Sequence, residues 1–352
     1  MPRAPIAERK GSGSAFTLDR RRLLRALAAG AMAGSAFFET PARAKDAPDE
    51  EIAWVCPMHA SYTSTTAGTC PICGMTLVQT RPYDTRDYRL EFRTEPAQVH
   101  PGEKVTLFFR FLHPGTGEVV KDFEVVHTKE FHLFVISQDL EFFEHIHPVM
   151  RDDGTWTIET MVPKAGYYQA LCDFMPKGGS GQFLTAALVT ANYAGDLATD
   201  GAHLVTDKVP RKSAGDLTAT LSFNPAQPAS GQYVHLTFNL TDTATGRPVA
   251  DLQTYLGQFS HMLLMSEDMQ CYVHSHPINL VVAQEDAAQP EYIIAPDADL
   301  AAIRGGPQVT FDSLLPKAGM FRAWAQFQRN DEVRTLAFTF NVAQGSAEPI
   351  LA

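Results

Sequence analysis

Two copies of a three-histidine pattern, H-x12-H-x-H-P, are the residues of this chain whose type and spacing best suit chemistry. His132, His145 and His147 form the first trio, and the second trio follows at a constant distance of 129 residues as His261, His274 and His276. Imidazole is the commonest metal-ligating side chain and is also a proton carrier near neutral pH. The duplication therefore points to a metal site or a proton-linked site rather than to packing alone.

Cysteine and histidine combine in a second candidate metal site near residue 60. Two residues separate Cys56 from His59, two separate Cys70 from Cys73, and ten lie between these pairs. Pairs at this spacing can together chelate one tetrahedral ion. In an oxidising compartment Cys70 and Cys73 could form a disulfide instead, but a disulfide would not explain the Cys56 half of the motif.

Residues 52–80 resemble the heavy-metal-binding module of copper- and silver-exporting P-type ATPases and of periplasmic efflux adaptors. The likeness lies in W-x-CPMH followed by G-x-CPxCGM-x-L. It implies three thiolate ligands from the cysteines and a fourth ligand from His59, with Met58 and Met75 as further candidates for Cu(I), because thioethers and thiolates are soft donors. Neither the ATPase machinery nor the adaptor's helical hairpin appears in this chain, so the likeness does not extend to transport.

The internal duplication covers most of the chain. The 129-residue shift also aligns Gly102 with Gly231, whereas the later sequence Pro-Lys-Ala-Gly recurs at residues 163–166 and 316–319, at a shift of 153. The second copy therefore carries an insertion, which we place around residues 283–303. Two related domains agree with a chain of 352 residues.

The repeats are predicted to be rich in β-structure. Residues 105–111 and 234–240 alternate apolar and polar side chains, turn residues recur at short intervals, and no capped helical pattern is present. The resulting fold class is mainly β, with two immunoglobulin-like antiparallel β-sandwich repeats preceded by a small zinc-ribbon-like metal-binding module. The expected domains are a signal peptide (1–44), the module (45–85), sandwich 1 (86–195), a linker (196–215), and sandwich 2 with its insertion (216–345).

A β-hairpin would bring each trio together. Residues 131–136 and 142–147 are apolar-rich runs on either side of a turn-like sequence. If opposed residue numbers sum to 277, His132 lies opposite His145, and a sum of 279 places it opposite His147. The second copy is expected to pair with a sum of 535. Because side chains alternate between faces, either register brings the three imidazoles of a trio to one face.

Other interpretations of the histidines stay open, namely hydrogen-bonded structural residues, proton carriers or catalysts. His127 and Glu144 could assist the first trio only, because Leu256 and Val273 take their places in the second copy. The two sites are therefore expected to differ in affinity.

The remaining cysteines give weaker signals. Cys172 with Met175 invites a comparison with blue copper sites, but the usual histidine between them is missing and the equivalent of Cys172 in the second copy is Ala325. Cys172 and Cys271 could form a disulfide or stay as free thiols.

The two repeats resemble the YtkA-like family of exported β-sandwich domains. That likeness rests on H-L-x-V-x-S-x-D-L-x-x-F-x-H-x-HP before a PKAG-Y turn, and spans nearly all of residues 88–343. It implies an exported location and a β-sandwich fold more than any particular mechanism.

The first 44 residues resemble a twin-arginine export signal. Arg20, Arg21 and Arg22 precede a short apolar run and a small-residue site that ends at Ala44. Cleavage near Ala44 would give a periplasmic protein, whereas an uncleaved membrane anchor or a basic tail is the alternative. No other apolar run is long enough to span a bilayer, so no membrane span is expected in the mature chain.

Charge and motifs narrow the function. The chain has a net charge of −11, and without the signal about −16, which disfavours nucleic acid as a partner. No nucleophile elbow, phosphate loop or dinucleotide fingerprint is present. We predict a non-enzymatic periplasmic protein that binds copper or zinc, and sequesters the ion or passes it to an efflux or metalloenzyme-assembly protein. The alternatives are a structural or protein-binding β-sandwich module and a three-histidine copper enzyme.

Overall fold

The structure is a computed structural model that describes residues 53–56, 62–71, 76–80, 87–196, 199–278 and 299–345. The predicted signal peptide, His59, Cys73, the two module methionines and most of the predicted insertion lie outside these residues. Every regular element of the described part is a β-strand, which confirms the predicted fold class. No helix in these ranges has the length and apolar character needed to cross a membrane.

The described strands, in chain order, are β1 (Ala53–Val55), β2 (Thr63–Ser64), β3 (Val78–Thr80), β4 (Arg89–Glu95), β5 (Lys104–Leu112), β6 (Phe131–Ser137), β7 (Phe143–Ile146), β8 (Val149–Met150), β9 (Trp156–Met161), β10 (Tyr167–Phe174), β11 (Gln182–Val189), β12 (Arg211–Ala214), β13 (Leu217–Asn224), β14 (Tyr233–Asp242), β15 (Leu252–Gln253), β16 (His261–Ser266), β17 (Tyr272–Ser275), β18 (Arg304–Gly305), β19 (Gln308–Leu314), β20 (Gly319–Arg329) and β21 (Glu332–Val342).

Sandwich 1 consists of two antiparallel sheets. One has the strand order β4-β5-β9-β8 and the other, which we call inner sheet 1, has the order β11-β10-β6-β7. Their facing side chains form one apolar core that includes Phe109, Phe111 and Phe131. The alternating residues predicted at 105–111 fall within β5, whose inward positions are fully buried, as expected for a strand with one face on a core.

Sandwich 2 repeats this arrangement. Its outer sheet has the order β12-β13-β14-β19, and inner sheet 2 contains β17-β16-β20 with β15, β18 and β21. The alternating residues predicted at 234–240 lie in β14. Residues 211–214, expected to belong to the linker, instead form β12 and pair with β13, because this short polar segment can hydrogen-bond along an open sheet edge.

The two inner sheets pack against each other through a third apolar cluster. On β6, Leu133 and Val135 point into the core of sandwich 1, whereas Phe134 and Ile136 point towards sandwich 2. The ring of Phe143 stacks on Trp324 at a centroid distance of 4.9 Å. The central strands are therefore buried on both faces, which explains why their sequences are apolar runs rather than alternating patterns.

The first hairpin has the later of its two predicted registers, and the second hairpin does not have the register expected for it. Phe134 lies opposite His145 in the first hairpin, so opposed numbers sum to 279. In the second hairpin Leu263 lies opposite His274, which gives 537, and the expected sum of 535 is wrong. Each loop has four residues, and the third residue of each loop has a left-handed backbone, with φ of 58° at Leu140 and 56° at Met269.

Candidate metal centres

The first trio brings three ring nitrogens to one point on inner sheet 1. Nδ1 of His132 lies 3.1 Å from Nε2 of His145 and 3.2 Å from Nε2 of His147. The strands place them there because His132 and His145 share the face of the sheet that points towards sandwich 2, and His147 follows two residues later in the chain.

Hydrogen bonds on the far side of two of these rings fix their protonation. Nε2 of His132 lies 3.0 Å from the carbonyl oxygen of Val126, which can only accept, so this nitrogen carries the proton. Nδ1 of His145 lies 2.7 Å from Oε1 of Gln326, whose amide nitrogen donates to Thr335. Each neutral ring therefore presents a lone pair to the other at the centre of the trio.

Burial keeps the first trio uncharged at neutral pH. Desolvation is the main reason why the pKa of His132 falls to about 4 and that of His147 to about 3, and why the pKa of His145 lies well below its usual value. Two facing lone pairs repel each other unless a cation lies between them. Two nitrogens bound to one tetrahedral ion at 2.0–2.1 Å would be roughly 3.3 Å apart, close to the observed separation.

The second trio has the same construction. Nε2 of His261 donates to the carbonyl oxygen of Tyr255 at 3.0 Å, and Nδ1 of His274 lies 2.5 Å from Oδ2 of Asp173. The inward atoms, Nδ1 of His261 and Nε2 of His274, are buried and have no hydrogen-bond partner among the described residues. With His276, the ligand atoms of this trio lie within 4.8 Å of one another.

Two tight turns supply the carbonyl oxygens that orient the first histidine of each trio. In sandwich 1 the turn runs from Val126 to Lys129, and in sandwich 2 from Tyr255 to Gln258. Both central residues have positive φ in each case, with 48° at His127 and 66° at Thr128, as in a type I′ turn. A β-branched residue rarely adopts this conformation, which indicates that the turn is held by its surroundings.

Each trio takes one outer hydrogen-bond partner from the other sandwich. Gln326 of β20 contacts His145, and Asp173 of β10 contacts His274. The 153-residue shift makes Asp173 and Gln326 equivalent positions, so the two sandwiches exchange partners in a pseudo-symmetric way. The exchange has one chemical difference, because the second trio receives a carboxylate and the first receives a neutral amide.

The two trios form one cluster at the interface between the sandwiches. The rings of His132 and His274 have centroids 5.4 Å apart, and those of His132 and His261 are 6.1 Å apart. An ion at either trio would therefore experience the charge of an ion at the other, since the medium between them is buried and screens poorly.

His127 lies beside the second trio, so the expectation that it could assist the first trio only is wrong. It also interacts with the first trio, since burial and then the charge of His132 lower the pKa of His127. Its ring stacks on that of His276 at a centroid distance of 3.5 Å, because the turn that carries it reaches across to sandwich 2. The carboxylate of Glu144 accepts a short hydrogen bond from Thr160, because its place between His145 and Phe143 on β7 directs it to the opposite face of the strand.

The described half of the cysteine motif lies in a small core at the N-terminal module. Cys56 and Cys70 are both buried there against Leu77. The backbone N–H of Cys56 donates to the carbonyl oxygen of Tyr62. The structure thus brings these two predicted ligands into one core, and their partners His59 and Cys73 lie outside the described residues.

Cys172 does not take part in a metal site of the blue copper type. Its side chain is in the core of sandwich 1, on the face of β10 opposite to Asp173, and burial raises its pKa well above the usual value. Cys172 and Cys271 are both free thiols, so the disulfide considered between them is absent.

Metal-free protein is expected to lose stability as the pH falls from about 6.5 to about 4. The folded pKa of His132 is about 4 against 6.5 for an ordinary histidine, so the unfolded chain takes up this proton first and acid favours unfolding. The stabilisation is complete above pH 6.5 and lost as the pH approaches 4, at up to about 1.4 kcal/mol per pH unit for this side chain.

Urea unfolding in the presence of a chelator measures this dependence. The profile should be shallower for His132→Asn, whereas His203→Asn, which changes an exposed histidine, should leave it unchanged. If the wild type and His132→Asn show the same dependence of stability on pH, the attribution of this dependence to His132 is wrong.

Family models match two parts of the chain. A model described as "Heavy metal binding domain" matches residues 53–80, which confirms the module predicted at residues 52–80. A model described as "Domain of unknown function (DUF8832)" matches residues 84–192 and 212–344. No curated protein matches the sequence significantly. The matched metal-binding module is a binding domain, which is consistent with the prediction of a non-enzyme.

Several solved structures of β-sandwich proteins are similar to the chain. FdeC, an Escherichia coli adhesin, is 13% identical, with a TM-score of 0.23 over 76% of this chain and 67% of that one. A two-domain fibronectin type III segment of chicken tenascin is 9% identical, with a TM-score of 0.18 over 73% and 98%. These likenesses concern the fold alone and carry no argument about function.

Proposed function

Because the chain belongs to the family described as "Domain of unknown function (DUF8832)" and carries a heavy metal binding domain at residues 53–80, we propose that it binds metal ions at two kinds of site. The N-terminal module binds a metal ion through its cysteines. The two histidine trios form a second, imidazole-only pair of sites between the sandwiches.

One observation carries the proposal for the trios. Nδ1 of His132 and Nε2 of His145 face each other at 3.1 Å although the outer hydrogen bonds leave a lone pair on both. Metal-ligating histidines use their second ring nitrogen in this way, as a donor to a carbonyl, amide or carboxylate oxygen. The same pattern at His261 and His274 makes an accidental arrangement a poor explanation.

We propose copper as the ion, because a site of nitrogen and sulfur donors generally binds Cu(II) more tightly than Zn(II), and zinc is the alternative. Thiolates favour Cu(I) or Zn(II), and neutral imidazoles favour copper or zinc. In this proposal the protein sequesters the ion or delivers it to an efflux or metalloenzyme-assembly protein. The acidic net charge of −11 favours a cation over nucleic acid as the bound species.

The periplasm is the compartment that we propose for this function, and the likeness of the repeats to YtkA-like domains belongs to the same proposal. Both rest on sequence, namely the arginines at positions 20–22, the small-residue site ending at Ala44 and the repeated histidine segment. Protein from the periplasmic fraction should begin near Lys45, and paired replacement of Arg21 and Arg22 by lysine should hold the chain in the cytoplasm. A mature protein that retains residues 1–44 would contradict this location.

Metal analysis of the purified full chain tests the function. After loading with Cu(I) or Zn(II) and removal of excess ion, we expect the wild type to hold ions at both kinds of site. Alanine at His132, His145 and His147 should remove the ion of the first trio, alanine at the second trio should remove the other, and alanine at Cys56, Cys70 and Cys73 should remove the ion of the module.

A matched control replaces three histidines outside the trios, His100, His203 and His235, by alanine and should leave the metal content unchanged. If wild-type protein takes up neither copper nor zinc at neutral pH, the proposal is wrong. If the two trio variants keep the full metal content of the wild type, the histidines are structural and only the module binds metal.

A further inference from the structure

A cavity of about 230 Å³ connects the N-terminal module with the histidine cluster. Cys56 lines it on the side of the module, and His132, His274 and His276 line it on the side of the trios. The cavity therefore reaches from a residue of the cysteine motif to members of both trios.

Further side chains that can bind a metal ion line the space between these ends. Met175 contributes a thioether, His127 an imidazole and Asp173 a carboxylate, and Met175 is 2% exposed. Thioether and imidazole side chains are ligands for Cu(I), and imidazole also suits Zn(II). Apolar side chains, among them Val126, Phe174 and Phe183, form much of the remaining lining.

Two of the lining histidines have unsatisfied polar atoms. Nε2 of His127 and Nε2 of His274 are buried and have no hydrogen-bond partner among the described residues, and His127 is only 8% exposed. Leaving a buried polar atom unpaired costs about 1–3 kcal/mol. These two unpaired nitrogen atoms lie where an ion on its way to the second trio would need ligands.

His127 lies beside both the module and the second trio. Besides lining this cavity, it lines a wider opening together with Thr76 and Val78 of the module, and its ring stacks on His276 of the second trio. It sits at the tip of a turn in the left-handed region, with φ of 48°. His127 thus contacts the surroundings of both kinds of site.

We infer that this cavity is a passage through which a metal ion moves from Cys56 to the second trio without release into bulk water, with His127 as the ligand that receives it in between. The inference rests on the proposed function, since it requires that both the module and the trios bind metal. The step is ligand exchange alone. The ion keeps its charge, imidazole nitrogens replace thiolate sulfurs one at a time, and the thiolates left behind take up protons from solvent.

Leu256 offers a natural replacement for His127. It occupies the equivalent position in the second copy and has φ of 51°, so a leucine fits this backbone conformation. The substitution His127→Leu removes the imidazole nitrogens that could bind the ion. It changes no member of either trio. His203→Leu, a change at an exposed position, serves as the matched control.

Co(II) is the probe for the experiment, because cobalt bound to thiolate and cobalt bound only to imidazole have different absorption spectra. Metal-free full-length protein is mixed rapidly with half an equivalent of Co(II) in the presence of a soluble chelator. In the wild type and in His203→Leu we expect the thiolate band to decay into the imidazole spectrum at a rate independent of protein concentration. In His127→Leu the decay should be slower by about tenfold or more, with ion lost to the chelator.

A decay that depends on protein concentration, or that is equally fast in His127→Leu, would overturn the passage while leaving metal binding intact. A thiolate band that persists in the wild type would also overturn it. If the metal analysis of the purified chain finds no ion at the trios, the proposal for the trios fails together with the passage, so the two failures can be told apart.

Discussion

Replacing Trp324 with alanine is expected to lower the free energy of unfolding by about 3–5 kcal/mol and to weaken metal binding at both trios together. The indole is 2% exposed and stacks on Phe143 of the other sandwich, so the change leaves a large cavity in the interface. Trp324 and Gln326 are two residues apart on β20 and share its face towards sandwich 1.

Loss of the indole should affect both trios because each depends on a hydrogen bond across the same interface. The bond from His145 reaches Gln326, and the bond from His274 reaches Asp173. If the sandwiches separate or shift, both rings lose the partner that orients them, and such partners are typically worth 10–100-fold in metal affinity.

Urea unfolding and a chelator competition titration measure these two effects. Trp156→Ala is the matched control, since Trp156 is 3% exposed but lies in the core of sandwich 1, away from the interface. It should lower stability to a similar degree, and at temperatures where the variant is folded the trios should bind as in the wild type. Unchanged metal affinity in Trp324→Ala would show that the interface does not support the sites.

Features that depend on local sequence could be predicted before the structure. The strands at residues 105–111 and 234–240 follow from alternation, which reflects one face on a core and one face towards solvent. The metal-binding module follows from the spacing of Cys56, Cys70 and Cys73. The grouping of His145 with His147 on one side of a hairpin follows from the period of a β-strand.

The register of the hairpins could not be fixed in this way. Ser137 and Asp139 form a hydrogen bond within the loop, and Leu140 adopts a left-handed conformation, which together create a four-residue loop. A leucine gives no sequence signal for positive φ, unlike glycine or asparagine. The pairing therefore had two possible sums, and the one chosen for the second copy was wrong.

Contacts between the two sandwiches were also beyond reach from the sequence. Nothing local indicates that His127 extends to the second trio, because this depends on how two sandwiches pack. Asp173 belongs to the same repeat as the first trio, but its carboxylate accepts a hydrogen bond from His274 of the second trio. The equivalence of Asp173 and Gln326 at a shift of 153 was a usable signal only once the inner sheets were known to face each other.

The second trio is expected to bind a divalent ion more tightly than the first, and Asp173→Asn should remove most of that difference. A carboxylate that accepts from a ligating imidazole makes its other nitrogen a stronger donor and adds a negative charge near the ion. Asparagine keeps an acceptor oxygen for Nδ1 of His274 but removes the charge. We expect the affinity of the second trio for Zn(II) to fall about 10–100-fold, and that of the first trio to fall by less, because the Asp173 charge also acts on His132.

The equivalent position provides the reverse experiment. Gln326→Glu places a carboxylate behind His145, and Thr335, which accepts from the amide of Gln326, can turn its hydroxyl to donate instead. This change should raise the affinity of the first trio by the same mechanism. Each variant is measured by competition with a chromophoric chelator, in a chain whose other trio carries alanine and whose module cysteines are replaced.

The paired outcome separates electrostatics from geometry. If the carboxylate acts through its charge, Asp173→Asn weakens the second trio and Gln326→Glu strengthens the first. If the outer partner only fixes the orientation of the ring, both variants bind as the unchanged protein does, because asparagine and glutamate each retain an accepting oxygen. Since an ion at one trio repels an ion at the other across the poorly screened interface, the trio with the carboxylate should also fill first when the wild type is titrated.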